Sequence, residues 1–372
     1  MNPLNNLQVR DQNKKRLLNY LYQHDGASKQ AIMRALGLSA PTVTLLLRDM
    51  AQRGLVRQTG PLESSGGRRP MAHSLNYDAR LAAGMEITRG HLRFVLIDMA
   101  ENVLHRRKLL RPFTNDPAYF RGAARELEAF LTDCGAERGR LLGVGIAVPG
   151  VVDAERLLLK YSPTLEVTNL SLDIFGSYIP YPVMTGNEAK LAGFTEIWKM
   201  DDTEDAVYLS VNKGVGGAII IGNRLFYGTD GRAGEFGHMT VVRGGRPCSC
   251  GKTGCLEAYC STRLLTEPDF DEIDDFFAAL EAGNRACSEK WRDYLDCLAT
   301  GINNLYTIFD TNIILGGEIS GHLRRYADVF RQKLADLSPF DTHADYLHFS
   351  QFGEYASAIG GALLPVDAFL NS

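Results

Sequence analysis

At 372 residues the chain is too long for one ordinary core and predicts two or three domains. Hydrophobic residues make up 45% and charged residues 23%, the balance of a soluble globular protein, and no apolar run is long enough to span a bilayer. The polar N-terminus lacks the apolar core of a signal peptide, so the expected location is the cytoplasm and no membrane partner is expected.

The net charge of −4 hides an asymmetry: residues 1–80 hold 12 Lys and Arg against five acids, leaving the remainder strongly acidic. A basic head on an acidic body is the electrostatic footprint of a phosphate-binding module on a soluble domain. Seven cysteines do not make a disulfide framework in such a chain, and three of them, Cys248, Cys250 and Cys255, fall within eight residues, which points to metal.

In the head, residues 13–24 read as a helix, with Leu17, Leu18 and Leu21 on one side and Lys14, Lys15 and Arg16 on the other. Ser28 is the predicted cap of a second helix over 29–36, stopped by Gly37. Ser39 is the predicted cap of a third, with Pro41 in its first turn. There Val43, Leu46, Leu47 and Met50 recur at i, i+3, i+4 and i+7 and pack inward, leaving Thr44 and Arg48 outside with Ser39 and Thr42 near the start. This is helix-turn-helix spacing, with the third helix expected in a major groove. Residues 55–58 and 73–76 read as two strands joined through Ser64-Ser65-Gly66-Gly67-Arg68-Arg69-Pro70, a wing whose Arg68 and Arg69 fit a minor groove. A trihelical unit serving only protein contacts is the alternative.

From residue 81 the pattern changes. Strands are predicted at 82–87, 92–98, 103–109 and 141–148, with a helix over 117–134. A short strand at 183–185 leads to a helix over 188–198. Strands at 206–211, 217–221 and 313–315, helices near 289–309 and a closing helix from Tyr355 repeat the rhythm. Such alternation argues an α/β domain of two similar lobes.

Cys248-x-Cys250-Gly251-x-x-Gly254-Cys255, with His238 ten residues upstream, supplies three thiolates and one imidazole. That set completes a tetrahedral structural zinc site closed to water, with Cys260 as a possible substitute ligand. Asn187, Glu188, Glu235, His238 and Glu257 lie around it in sequence, and carboxylates with an amide are what bind vicinal sugar hydroxyls. Zinc on one imidazole nitrogen of His238 leaves the other for the ligand.

These residues resemble the ROK family (repressor, open reading frame, kinase), and specifically its repressor branch with an N-terminal winged helix. The resemblance rests on Ser65-Gly66-Gly67-Arg68-Arg69-Pro70 and on Gly231-Arg232-Ala233-Gly234-Glu235-Phe236-Gly237-His238 followed by the cysteine run to Glu257, and it spans roughly residues 10–368. It implies a winged helix-turn-helix over 1–78 and an actin-like (sugar kinase/ribonuclease H-like) domain of two lobes, 79–188 and 189–372, the C-terminal helix packing back on the first lobe. It implies sugar hydroxyls at Asn187, Glu235, His238 and Glu257, and a homodimer or tetramer.

The chain departs from the family's kinases. Glu188 stands where they carry an Asp base, and an ångström of misplacement costs on the order of 100-fold. The first phosphate loop reads Glu86-Ile87-Thr88-Arg89-Gly90, the second Asn212-Lys213-Gly214, and Glu318 follows Gly316-Gly317. Thr164 stands where many members have an Asn. No catalytic residue is therefore assigned, and Glu188 is a degenerate position. The expectation is a sugar-responsive regulator, most simply a repressor of carbohydrate genes, that binds operator DNA and a monosaccharide or its derivative. The rival is an active ATP-dependent sugar kinase with a DNA-binding head.

Overall fold

The computed structural model describes residues 6–62, 69–199 and 205–371. The head starts with α1 (Asn6–Gln23), followed by β1 (Ala27–Ser28), α2 (Lys29–Leu36) and α3 (Ala40–Gln52). The Ser28 hydroxyl accepts from the Ala31 amide at 3.1 Å, and Gly37 ends α2 at φ +64°. Ser39 caps α3 on the Thr42 amide at 3.4 Å, and Val43, Leu46, Leu47 and Met50 are all buried. Then β2 (Val56–Pro61) and β3 (Met71–Leu75) pair antiparallel, and β1 adds to the other edge of β3. Three helices plus this small sheet make a winged helix. The first helix is longer than its apolar spacing predicted, because residues 6–12 are mostly polar and do not continue the row of Leu17, Leu18 and Leu21.

The body contains two five-stranded sheets of the same design. In the first, β4 (Leu81–Ile87), β5 (His91–Asp98) and β6 (Val103–Leu110) run antiparallel in sequence order. After α4 (Pro117–Asp133), β7 (Leu141–Val148) joins β4 in parallel, and β11 (Val183–Asn187) joins β7. Between them β8 (Val151–Asp153), β9 (Leu158–Ser162) and β10 (Val167–Ser171) form a separate meander. The sequence pattern missed it because its strands are short, its turns put Leu157 and Glu166 at positive φ without glycine, and Asn169 does the same inside β10.

The bridging helix α5 (Glu188–Lys199) leads to the second sheet. There β12 (Ala206–Val211), β13 (Val215–Ile221) and β14 (Arg224–Phe226) are antiparallel. Helices α6 (Glu257–Cys260), α7 (Arg263–Thr266), α8 (Ile273–Glu281) and α9 (Arg285–Phe309) follow, and β15 (Asn312–Gly316) adds parallel to β12. After α10 (Glu318–Leu323) and α11 (Ala327–Leu337), β16 (Leu347–Phe349) extends the sheet in parallel, and α12 (Ala356–Asn371) closes the chain. Strand orders β6-β5-β4-β7-β11 and β14-β13-β12-β15-β16 correspond one to one.

The last helix returns to the first sheet. Glycine makes this possible: a Cβ on Gly84 would lie 1.8 Å from the Ala358 carbonyl oxygen, and one on Gly145 would lie 1.8 Å from that of Gly361. On its other side α12 meets the head. Leu17, Leu18 and Leu21 of α1 share one buried cluster with Ala358, Ile359, Ala362, Leu363, Val366 and Leu370. Head and body therefore have a continuous core. Among the described residues no single helix is long and apolar enough to cross a membrane.

Candidate functional site

The head presents a polar face on α3. Ser39, Thr44 and Arg48 are exposed and Thr42 is half-buried. Ser39 and Thr42 hydroxyls lie 2.9 Å apart, and the Thr44 hydroxyl donates to the Ala40 carbonyl at 2.7 Å. Lys29 of α2 donates to the Thr44 hydroxyl, adding a cation to this face that helical spacing did not reveal. Arg69 is exposed at the entry to β3, whereas Arg68 and the glycine tip lie outside the described residues.

The cleft is built where β11 turns into α5. Asn187 donates its amide to the Gly150 carbonyl at 2.8 Å and accepts from the Lys190 amide at 2.9 Å. It thus caps α5 and ties the helix to the turn after β7. Glu188 follows, its carboxyl pushed up to about 8 by burial first and then by the charge of Glu86, with Arg93 opposing and Glu235 and Glu318 adding. Residues of both lobes therefore act on one space.

A carboxyl raised from 4.5 to about 8 makes a checkable pH statement. The folded state holds its proton more tightly than the unfolded state, so this contribution to stability is fully present below the unfolded value. It is lost as pH rises toward 8. Glu188→Gln is expected to flatten the fall in urea midpoint across that interval. Parallel midpoint curves for the two proteins would contradict the assignment.

The loops that resemble phosphate loops are filled by the protein's own side chains. Arg93, 7% exposed, donates to Glu86 at 2.8 Å and pairs with Glu354 at 3.1 Å, and Glu354 also takes Lys108 at 2.8 Å. Arg89 pairs with Glu166 at 2.6 Å and donates to the Thr164 carbonyl at 3.1 Å. In the second lobe the Asn212 side chain accepts from the Glu318 amide at 2.7 Å, and the Glu318 carboxylate accepts from Thr262 at 3.1 Å. Sequence reading flagged the altered loops but missed Arg93, which lies in the middle of a strand and is seven residues from its partner.

The cysteine run folds as a knuckle beside this cleft. One ligand atom each from His238, Cys248, Cys250 and Cys255 lies within 4.8 Å of every other. The Cys250 and Cys255 sulfurs are 3.7 Å apart, and Cys248 Sγ is 3.8 Å from His238 Nδ1. Tetrahedral bonds of about 2.3 Å to sulfur imply edges of about 3.8 Å, so the donor set fits a metal ion. Gly254 is required here, at φ +79° with a Cβ position 1.8 Å from the Val242 carbonyl oxygen. Cys260, left open as a substitute ligand, is instead fully buried in the core of the second lobe.

The knuckle also holds Glu257. Its carboxylate accepts from the Val215 amide at 3.0 Å and from Ser249, beside the ligand Cys248, at 3.1 Å. Since Nδ1 of His238 faces the thiols, Nε2 is the nitrogen left for a ligand. Glu235, three residues before His238, acts electrostatically on Glu188 and Lys190.

A model of the ROK family matches residues 82–367, and one of winged helix-turn-helix DNA-binding domains matches residues 10–57. The chain belongs to the ROK family, and its fold is a winged helix-turn-helix followed by a two-lobed, actin-like sugar-kinase domain. Among relatives, the xylose repressor of Caldicellulosiruptor bescii is 26% identical over 348 residues, covering 87% of this chain and 86% of that protein. The crystal structure of a ROK family transcriptional regulator, a homologue of the Escherichia coli Mlc protein, superposes with a TM-score of 0.77 at 22% identity over 97% of each chain. A ROK family glucokinase from Streptomyces griseus, in complex with glucose and AMPPNP, is 27% identical, with a TM-score of 0.63 over 76% of this chain and 98% of that one.

Proposed function

We propose that this protein is a sugar-responsive transcriptional repressor of carbohydrate genes, and a regulator rather than a kinase. Its winged helix binds operator DNA through Ser39, Thr42, Thr44, Arg48, Arg68 and Arg69. A monosaccharide or a derivative sits on Asn187, Glu188, Glu235, His238 and Glu257, and zinc held by His238, Cys248, Cys250 and Cys255 shapes that site. The protein acts in the cytoplasm as a homodimer whose two heads read half-sites of a pseudo-palindrome.

The observation that carries this reading is a direct mechanical link between cleft and head. Helix α5 begins at the sugar-site carboxylate and ends against the DNA-binding head, a span of about 18 Å at 1.5 Å per residue. At its far end the Trp198 indole donates to the Tyr22 hydroxyl of α1, which itself donates to Glu101 at 2.6 Å. The Tyr22 and Trp198 rings meet edge to face at 6.0 Å. A sugar that shifts the start of α5 acts on the head through this contact. The phosphate-like loops support a regulator over a kinase, because Glu86, Arg89, Asn212 and Glu318 are already engaged by partners within the protein.

The test is operator affinity, by fluorescence anisotropy on DNA selected with the full-length protein, across a panel of monosaccharides and their N-acetyl and phosphorylated forms. One sugar class is expected to change affinity roughly 5- to 150-fold, the usual range of allosteric coupling. Tyr22→Phe, which removes both hydrogen bonds, should narrow that change while leaving affinity without sugar nearly intact. Unchanged operator affinity with every sugar, or sugar-dependent ADP release from ATP, would overturn the reading.

A further inference from the structure

A cavity of about 380 Å³ lies beside Asn187, between β11, the meander and α12, lined by Thr185, Asn187, Lys190, Tyr227 and Glu155 and by apolar side chains that include Leu157. Lys190 is only 6% exposed. Its ammonium donates to the Gly231 carbonyl and lies 5.6 Å from the centre of the Tyr227 ring. Among the described residues no carboxylate lies within ion-pair distance of it. Glu235 acts on it electrostatically but does not offset the burial that lowers its proton affinity. Beside it Thr185 is 3% exposed, and its hydroxyl has no hydrogen-bond partner.

A buried cation without a counter-charge is costly, and a buried hydroxyl without a partner adds to the cost. Buried polar groups in native proteins are nearly always satisfied, and a carbonyl and a ring face supply only part of what an ammonium needs. Both unmet groups line the same cavity, whose other walls are mostly apolar but include Asn187 and the exposed Glu155, which among the described residues makes no ion pair with Lys190. What the ammonium lacks, among the described residues, is a negative charge with acceptor oxygens in contact with it.

We propose that this cavity binds a small organic anion, a carboxylate or a phosphate monoester no larger than a monosaccharide phosphate, with Lys190 as its counter-charge and Thr185 as a hydrogen-bond donor. The site adjoins the proposed sugar contacts, since Asn187 lines this cavity as well, but Lys190 and Thr185 are not among those contacts. Binding itself does not depend on the sugar reading. Its consequence does: Lys190 tethers Gly231, at the start of the loop that carries Glu235, and its amide is capped by Asn187. An anion that draws the ammonium away loosens that loop and alters the sugar site.

The experiment uses full-length, zinc-replete protein in calorimetric titrations at constant ionic strength. Inorganic phosphate, glycerol 2-phosphate and succinate are the probes, with chloride as the control. Saturable binding of a phosphate or carboxylate probe is expected, and the arm that responds names the source of the anion. Lys190→Met should weaken binding about tenfold or more, as losing a charged hydrogen bond does. It should also be at least as stable as the wild type in anion-free buffer, since it removes an uncompensated charge. Thr185→Val, which keeps the lysine, should weaken binding by a smaller factor, and it decides the question if Lys190→Met does not fold. No saturable binding by any probe, or equal binding by wild type and both variants, overturns the proposal. Monosaccharide titrations of the same samples report separately on the sugar site.

Discussion

Replacing Cys255 by serine is expected to leave the protein with less than one zinc per chain and without a sugar response. Cys255 is fully buried and contributes one of four donors whose mutual distances match a tetrahedral ion. Structural zinc contributes roughly 10–16 kcal/mol of apparent binding energy in small zinc-dependent domains, and this energy is spent on folding. Here the surrounding lobe has its own core, so the loss is local: the knuckle opens, and the lobe persists. That local loss is expected to reach the proposed ligand site, because His238 belongs to the four-donor cluster and Glu257 is held by Ser249 next to Cys248. Emission spectrometry of dialysed protein measures the metal, and thermal shift with the effector sugar measures the response. A Cys255→Ser protein that keeps both would place zinc elsewhere or make it irrelevant.

Arg93→Met should be the most destabilising single change in the cleft, costing about 3–5 kcal/mol, the usual penalty for removing one partner of a buried ion pair. The variant leaves Glu86, 4% exposed, without its 2.8 Å partner and removes one of the two cations on Glu354. Adding Glu86→Gln removes the stranded charge and should restore most of the loss. Urea unfolding of the two variants and the wild type checks both statements. A cost below about 1 kcal/mol would mean that the network is solvated, like a surface pair. The pairing also bears on function: the carboxylate at the head of the first phosphate-like loop is already neutralised by an arginine of the neighbouring strand.

Much of the head and of the metal knuckle was readable from the amino-acid order alone. The caps at Ser28 and Ser39, the stop at Gly37 and the inward row from Val43 to Met50 are contacts between residues a few positions apart. The four donors that could hold a metal ion span only His238 to Cys255, and two of the turns between them demand the glycines that the sequence displays. The duplicated lobes followed from the alternation of strand and helix, since the two sheets repeat one strand order.

Other features depended on distant parts of the chain. Arg93 reads as one polar residue in a strand until Glu354 is brought to it. Asn187 looks like a free sugar ligand, but its amide is engaged by Gly150 and by the start of α5. Lys190 resembles any surface lysine of a helix until loop 227–231 covers it. The union of head and body needs α12, hundreds of residues from α1, to lie between them. Local spacing determines helices, strands, caps and a compact metal knuckle because their partners are near in sequence. Burial, charge compensation and the route from cleft to DNA-binding head were decided by the tertiary structure, because each depends on which distant surfaces exclude water from the same place.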